Sequence, residues 1–351
     1  MTREKARACC ATGAGPGAGL HIVRFAPAKL NLTLAVLGQR DDGYHSLHSI
    51  MVPLLLGDAL TVSVSPAAGP SDMLRVSGLP VSAAEDNLVL RAIAALRTAM
   101  LREHPRASAD LPPLSVRLVK RIPVAAGLGG GSSDAAAAIE AALAAWQTTL
   151  AHASKAALAA SLGSDVPFFL SQRAAVITGR GEFVEPLPDM ASEPPAVLLV
   201  TPGLPISTPA VFEAYAAGAR PADPARALGI SESLAADLRA GMTAAALLQE
   251  AQELAAANDL LPAAISVAPE LEVFIRKLEK LVGRPVCQSG SGPTQWVMYS
   301  TLAEARKAVR MVRLAVARGN LPTIGDGELS AVATAIAGSF APTAVQPSGR
   351  P

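Results

Sequence analysis

Cysteine is nearly missing from this 351-residue chain, which has only Cys9, Cys10 and Cys287. An adjacent pair cannot chelate zinc with the usual two-residue spacer, and three thiols build neither a disulfide framework nor a metal cluster. The expectation is therefore no protein-bound structural metal and a reducing cytoplasm. Net charge is equally scarce. Thirty Lys plus Arg oppose 29 Asp plus Glu and leave +1, too little for a long-range field that would draw the chain to nucleic acid or anionic lipid. Long apolar runs are missing too: half of the residues are hydrophobic, but Asp58 interrupts the run after Met51 and Glu140 sits inside the alanine-rich one. No segment reads as a membrane span. Behind the charged start MTREKARACC come only Ala, Thr, Gly and Pro up to Gly19. That composition speaks against a secretory signal and for a disordered extension over residues 1–20, matched by a Pro-, Ser- and Gly-containing tail over 339–351.

Between these ends the pattern changes several times. HIVRF, KLNLTLAVL, SIMVPLLL and ALTVSV alternate and branch as strands do, with the turn-forming RDDGYH between the second and third. Helical spacing follows from Asn87 to Glu103, then a strand-like LSVRLV, a glycine loop and an alanine run to about Trp146. Alanine is the best helix former, and Ser132 or Ser133 is expected to cap that helix. A second helix is expected over 153–162, then strands in AAVITG and AVLLV. Pro186, Pro188, Pro194 and Pro195 cluster between those two strands. They suggest a division into domains spanning 21–190 and 191–338. The second part reads as mostly helical to Leu281, with the turn QSGSGPT between strand-like RPVC and QWVMYS, and a closing helix from Leu302 to Arg318.

Three stretches carry chemistry. In IPVAAGLGGGSSDAAAA, glycines let backbone N–H groups converge and let an anion approach, while the helix that follows points its positive end at it. This is also the composition of a flexible turn. The loop departs from the P-loop pattern, because Ser132, Ser133 and Asp134 follow the last glycine where Lys and Ser or Thr would stand. In APAKLNL, Lys29 lies in an apolar strand; an ammonium group there either snorkels at a sheet edge or has a charged partner. In GSDVPFF, Asp165 is open to two readings, a turn or cap residue and a reactive carboxylate.

In this chain order, APAKLNL, RDDGYH, the glycine loop, GSDVPFF and SGSGPT resemble the GHMP kinase superfamily, over roughly Phe25 to Val316. RDDGYH narrows the resemblance to its methylerythritol branch. The resemblance implies an α+β, two-domain GHMP-kinase-like fold with the active site in the cleft between domains. It implies ATP and Mg2+ as cofactors and a small-molecule cytidyl-diphosphate partner, phosphorylated on a hydroxyl of its erythritol unit in the non-mevalonate isoprenoid pathway. By the same resemblance Lys29 and Asp165 are catalytic, with Asp165 as base. Pro123, Val124, Ala125, Ala126, Gly127, Leu128, Gly129, Gly130, Gly131, Ser132 and Ser133 bind ATP, with Ser132 and Ser133 as candidate Mg2+ contacts. Asn31 lies near the substrate, and Tyr44, His45 and Phe212 surround the cytosine ring, Tyr44 and Phe212 stacking on it. His48 is taken as structural. Asn258 to Leu260 is similar to a family segment often continued by glutamate, but Leu261 follows, and no role is assigned to it. A homoserine- or mevalonate-type kinase and a non-catalytic nucleotide-binding module are the alternatives.

Overall fold

A computed structural model describes residues 21–64, 71–103 and 111–339; the expected extension over 1–20 and all but the first residue of the expected tail lie outside these. Two strands organise the molecule. β1 (His21–Gln39) and β2 (His45–Val64) form a long antiparallel hairpin across the turn that begins at Arg40. The sequence suggested four shorter strands here, HIVRF, KLNLTLAVL, SIMVPLLL and ALTVSV. Pro27 faces Gly57 and Lys29 faces Pro53 at a register shift, so the missing proline N–H groups fall where the ladder is already irregular.

β2 also pairs with β4 (Leu114–Lys120) at one end and β5 (Ala175–Gly179) at the other. β3 (Met73–Gly78) runs parallel to β4, and β6 (Phe183–Pro186) antiparallel to β5. A second, four-stranded sheet has the order β10 (Ser330–Ala335), β7 (Ala196–Thr201), β9 (Gln295–Tyr299), β8 (Cys287–Gln288). β10 carries no strand signal beyond its short SAVATA, and its pairing with β7 makes it a strand.

Packing explains the apolar run in β1. Ala28, Leu30 and Leu32 join Ile50, Val52 and Leu54 of β2 in a core with Val197, Leu199, Trp296 and Met298 of the second sheet. Burial of each such large side chain contributes roughly 1.5–3 kcal/mol. On the first sheet lie α1 (Leu88–Glu103), α2 (Gly130–Ala145), α3 (His152–Leu162) and the short α4 (Val166–Ser171), around a core of Ile93, Leu96, Ile139 and Phe168. The alanines of α2 present almost no side chain, so the helix sits close against β1 and β2 and its first turn comes up to Lys29. After β7 the chain supplies α5 (Thr208–Ala216), α6 (Arg226–Arg239), α7 (Ala244–Gln249), α8 (Ala251–Ala255), α9 (Leu261–Val267) and α10 (Glu270–Val282), and after β9 the closing α11 (Leu302–Ala317). α10 and α11 bury Phe274, Leu278, Ala308 and Val312 with Leu198 and Val297 of the second sheet. No helix among the described residues is long and apolar enough to cross a membrane.

Candidate active site

A cleft of about 890 Å3 opens between the first sheet with the glycine loop on one side and α5 with the turn between β8 and β9 on the other. The glycine loop forms one wall: Pro123 to Gly127 and Gly129 to Ser132 line it, whereas Leu128 and Ser133 turn into the interior. Leu128 contributes its carbonyl, which accepts the Lys29 backbone N–H at 3.0 Å. The N-cap of α2 is Gly129 in the left-handed region (φ 70°), and neither serine takes that position. Only glycine fits there, because an added Cβ would lie 2.8 Å from the Phe169 ring and 3.0 Å from Lys29 Cγ. Gly127 (φ 74°) is held as tightly from the other side, its absent Cβ 2.4 Å from the Ser289 carbonyl oxygen. A Cβ on Gly131, by contrast, would meet nothing within 4 Å. The start of α2 thus offers unpaired backbone N–H groups to an open cradle, a geometry suited to a phosphate.

The charged pair stands beside that cradle. Lys29 Nζ lies 3.7 Å from Asp165 Oδ2 and donates to Asn31 Oδ1 at 2.6 Å. Lys29 is 3% exposed, so it does not snorkel. Burial pulls its pKa below the ordinary lysine value, while Asp165 acts in the opposite direction. Asp165 occupies the N-cap of α4 without using its side chain as a cap, which leaves the carboxylate directed to the lysine and the cleft. Asn31, two residues along β1, shares the face of Lys29.

The third wall is aromatic. Arg40 and Tyr44 close the turn by a backbone hydrogen bond of 2.7 Å, and Asp42 Oδ1 accepts the Tyr44 N–H at 3.1 Å. This presents Tyr44, 52% exposed, to the cleft beneath the guanidinium of Arg180 at 5.0 Å. His45 stacks on Phe212 with ring centroids 5.2 Å apart and meets Tyr215 edge-on at 5.8 Å. Tyr44, His45 and Phe212 therefore line one cleft, but the partner of Phe212 in this structure is His45. Burial, and then the Arg220 charge, hold the His45 pKa below the usual histidine value.

Residues to which the sequence assigned no role complete the cleft and brace its walls. Lys120 lines it and donates to the buried Asp58 and, at 2.7 Å, to Asp134. Burial opposes its charge, but the two carboxylates outweigh that and raise its pKa. Asn258 ties the second glycine turn in place: its Nδ2 donates to the carbonyls of Gln288 (3.0 Å) and Gly290 (2.9 Å), and its Oδ1 accepts the Leu260 N–H at 2.9 Å. Ser289 Oγ in turn donates to the Gly127 carbonyl at 2.9 Å, which locks the two glycine turns together. Lysine and asparagine are ordinary surface residues, so only the pairing of distant segments reveals these roles.

This fold, with a glycine cradle, a buried lysine and a carboxylate in one cleft, defines a small-molecule kinase of the GHMP class. The family described as GHMP kinases N terminal domain matches residues 87–173. A 4-diphosphocytidyl-2-C-methyl-D-erythritol kinase from Pelotomaculum thermopropionicum is 38% identical over 294 residues, 83% of this chain and 94% of that protein. A crystal structure of a 4-(cytidine 5'-diphospho)-2C-methyl-D-erythritol kinase superposes with a TM-score of 0.62 at 30% identity, covering 90% of this chain and 99% of that one. The chain belongs to the 4-diphosphocytidyl-2-C-methyl-D-erythritol kinase family. A homoserine kinase from Cytophaga hutchinsonii shares the fold, at a TM-score of 0.62 and 15% identity over 93% of this chain and 97% of its own.

Proposed function

We propose that this chain transfers the terminal phosphoryl group of ATP to the 2-hydroxyl of 4-diphosphocytidyl-2-C-methyl-D-erythritol, in the non-mevalonate route to isoprenoid precursors. The observation that carries the reading is the Lys29–Asp165 pair at 3.7 Å, set beside the start of α2 in a cleft that also holds Tyr44, His45 and Phe212. In the proposed step, Asp165 accepts the hydroxyl proton as the oxygen forms its bond to phosphorus and the bond to the ADP oxygen breaks. Such transfer is mostly positioning and charge neutralisation. Lys29 neutralises charge on the moving group, and the N–H groups around Gly130 to Ser132 hold the phosphate chain. The SGSG turn, docked on Gly127, keeps that loop from relaxing away.

Among the described residues no cluster of three or more His, Cys, Asp or Glu forms a metal site. Mg2+ at a nucleotide keeps waters and phosphate oxygens and takes one or two protein oxygens. Ser132 Oγ on the cleft wall and Asp134 Oδ1, buried without a partner, are the donors assigned to it; when bound it supplies charge neutralisation to the phosphates. The cytidyl ring is assigned to the aromatic end, which requires His45 to leave the face of Phe212 if Tyr44 and Phe212 sandwich the base. The division into domains at 190/191 and a cytoplasmic setting belong to the same reading.

The test is ADP release by purified protein with ATP, Mg2+ and the cytidyl-diphosphate methylerythritol, with homoserine and mevalonate as rival acceptors. Turnover is expected with the first acceptor alone. Asp165→Asn and Lys29→Met are expected to lose roughly 10²–10⁴-fold in kcat while unfolding near the wild-type temperature. Folded protein that releases no ADP with the cytidyl acceptor overturns the assignment.

A further inference from the structure

We infer that Ser49 is a positioning residue for phosphoryl transfer: its hydroxyl fixes which way the Asn31 amide faces and thereby holds the Lys29 ammonium on the cleft. The inference rests on the function proposed above and adds to it a residue of the cleft lining that acts through Asn31.

The argument is one of proton supply. Ser49, 1% exposed in β2, has one hydroxyl hydrogen and donates it to the Thr33 carbonyl at 2.6 Å. A carbonyl only accepts, so that hydrogen is committed and Ser49 Oγ can offer Asn31 nothing but a lone pair. Asn31 must therefore turn its amide nitrogen toward Ser49, and Nδ2 donates there at 2.8 Å. The amide oxygen is then forced to the other side, where it accepts from Lys29 Nζ at 2.6 Å. The reversed amide would set its oxygen against a second acceptor and its N–H groups against an ammonium, both in a buried site. The chain of donors thus has one allowed direction, from Lys29 through Asn31 and Ser49 to the backbone of β1, and it leaves one Nδ2 hydrogen of Asn31 for a substrate.

The strand geometry supplies this chain deliberately. β1 and β2 slip register between Asn31 and Thr33, so that Asn31 faces Met51 while Thr33 faces Ile50. The extra residue in β1 lets Ser49, paired with Leu34, reach back to both the Thr33 carbonyl and the Asn31 side chain. Asp165 is the ionisable group facing Lys29, and its position at the N-terminal boundary of α4 does not depend on Ser49. The hydroxyl acts on the lysine through the Asn31 amide.

The experiment compares kcat, KM for both substrates and the pH dependence of kcat in wild type, Ser49→Ala and Ser49→Thr, with unfolding temperatures recorded alongside. S49A is expected to lose roughly tenfold in kcat, the effect of one well-placed hydrogen bond, with KM for ATP close to wild type. Without an enforced acceptor the ammonium form of Lys29 is less favoured, so the alkaline limb of the kcat profile is expected to move to lower pH. S49T, which restores the hydroxyl, is expected to turn over within about threefold of wild type. Wild-type kcat and an unmoved alkaline limb in S49A overturn the inference, as do equal losses in S49A and S49T. Wild-type protein that makes no ADP from the cytidyl acceptor overturns the functional reading and this inference with it; an active wild type with an indifferent S49A removes this inference alone.

Discussion

Gly127 and Gly131 sit four residues apart in one loop and answer to different constraints. A methyl group on Gly127 meets the Ser289 carbonyl oxygen at 2.4 Å and must adopt φ +74°, so Gly127→Ala displaces the loop from the SGSG turn. The expected cost is about 1–3 kcal/mol of stability, read by thermal or urea unfolding, together with weaker ATP binding. At Gly131 the space is open, and the residue lies in the first turn of α2, where alanine is the better helix former. Gly131→Ala is expected to leave stability unchanged or slightly raised while ATP affinity, measured by calorimetry, falls because the methyl group intrudes on the cradle. Equal ATP affinity in G131A and wild type would place the phosphate elsewhere. At this scale the sequence revealed the residue types and not their partners. Lys29 and Asp165 were each open to a structural reading on local grounds, and only the order of APAKLNL, RDDGYH, the glycine loop, GSDVPFF and SGSGPT singled them out as catalytic. Ser49 and Lys120 did not stand out, since nothing local distinguishes a buried hydrogen-bonded side chain from an exposed one, and Asn258 stood in a segment that resembled the family without a role following from it.

Elements were legible where their periodicity is internal and obscure where a partner decides. α1, α3 and α11 begin and end within about a residue of their expected limits, and α2 ends within one, because helix spacing is written in the segment itself. β10 exists through pairing to β7, information that lies more than a hundred residues away, and the expected strand in RPVC narrows to Cys287–Gln288, where β9 pairs with it. The N-terminus of α2 was misplaced by three or four residues because serine is the commoner cap, whereas here a left-handed glycine makes the turn and Ser133 donates its backbone N–H to the Gly129 carbonyl at 2.9 Å. Between elements, Asn258 makes the testable joint. Its three hydrogen bonds connect the approach to α9 with the turn between β8 and β9. Asn258→Ala removes a donor from the Gln288 and Gly290 carbonyls, the second of which keeps Gln288 Nε2 at 3.2 Å, with an expected loss of roughly 1–3 kcal/mol. Because the freed turn is the one that braces Gly127, KM for ATP is expected to rise with little change in KM for the acceptor. A uniform loss of both affinities would point to general loosening instead.

The whole molecule depends on how the helical region after β7 is fastened to the long hairpin, and one carboxylate makes that fastening sensitive to pH. The Leu34 N–H donates to the Ala257 carbonyl (2.7 Å) and the Asp259 N–H to the Leu34 carbonyl (2.9 Å), so the segment before α9 docks on β1 as a short added strand. Asp259 Oδ2 then accepts the Val36 N–H at 2.9 Å. Only 2% of Asp259 is exposed. Burial drives its pKa up to about 6; the Val36 N–H opposes this and the Asp223 charge adds to it. In the unfolded chain the same group titrates near 3.9. Below about pH 4 it is protonated in both states and the folded form keeps its full relative stability. As pH rises toward 6 and beyond, the unfolded chain has released its proton while the folded one must be charged in a buried site, so this contribution to stability is lost. Its size is on the order of 2 kcal/mol. Asp259→Asn keeps an acceptor for Val36 and removes the titration. The difference in unfolding temperature between D259N and wild type is therefore expected to grow in favour of the variant from pH 4 to pH 7.5, whatever offset the amide introduces at the acidic end. A difference that stays flat across that range would mean that Asp259 ionises in the folded protein as readily as in the unfolded one, and that the joint between hairpin and helices holds without regard to pH.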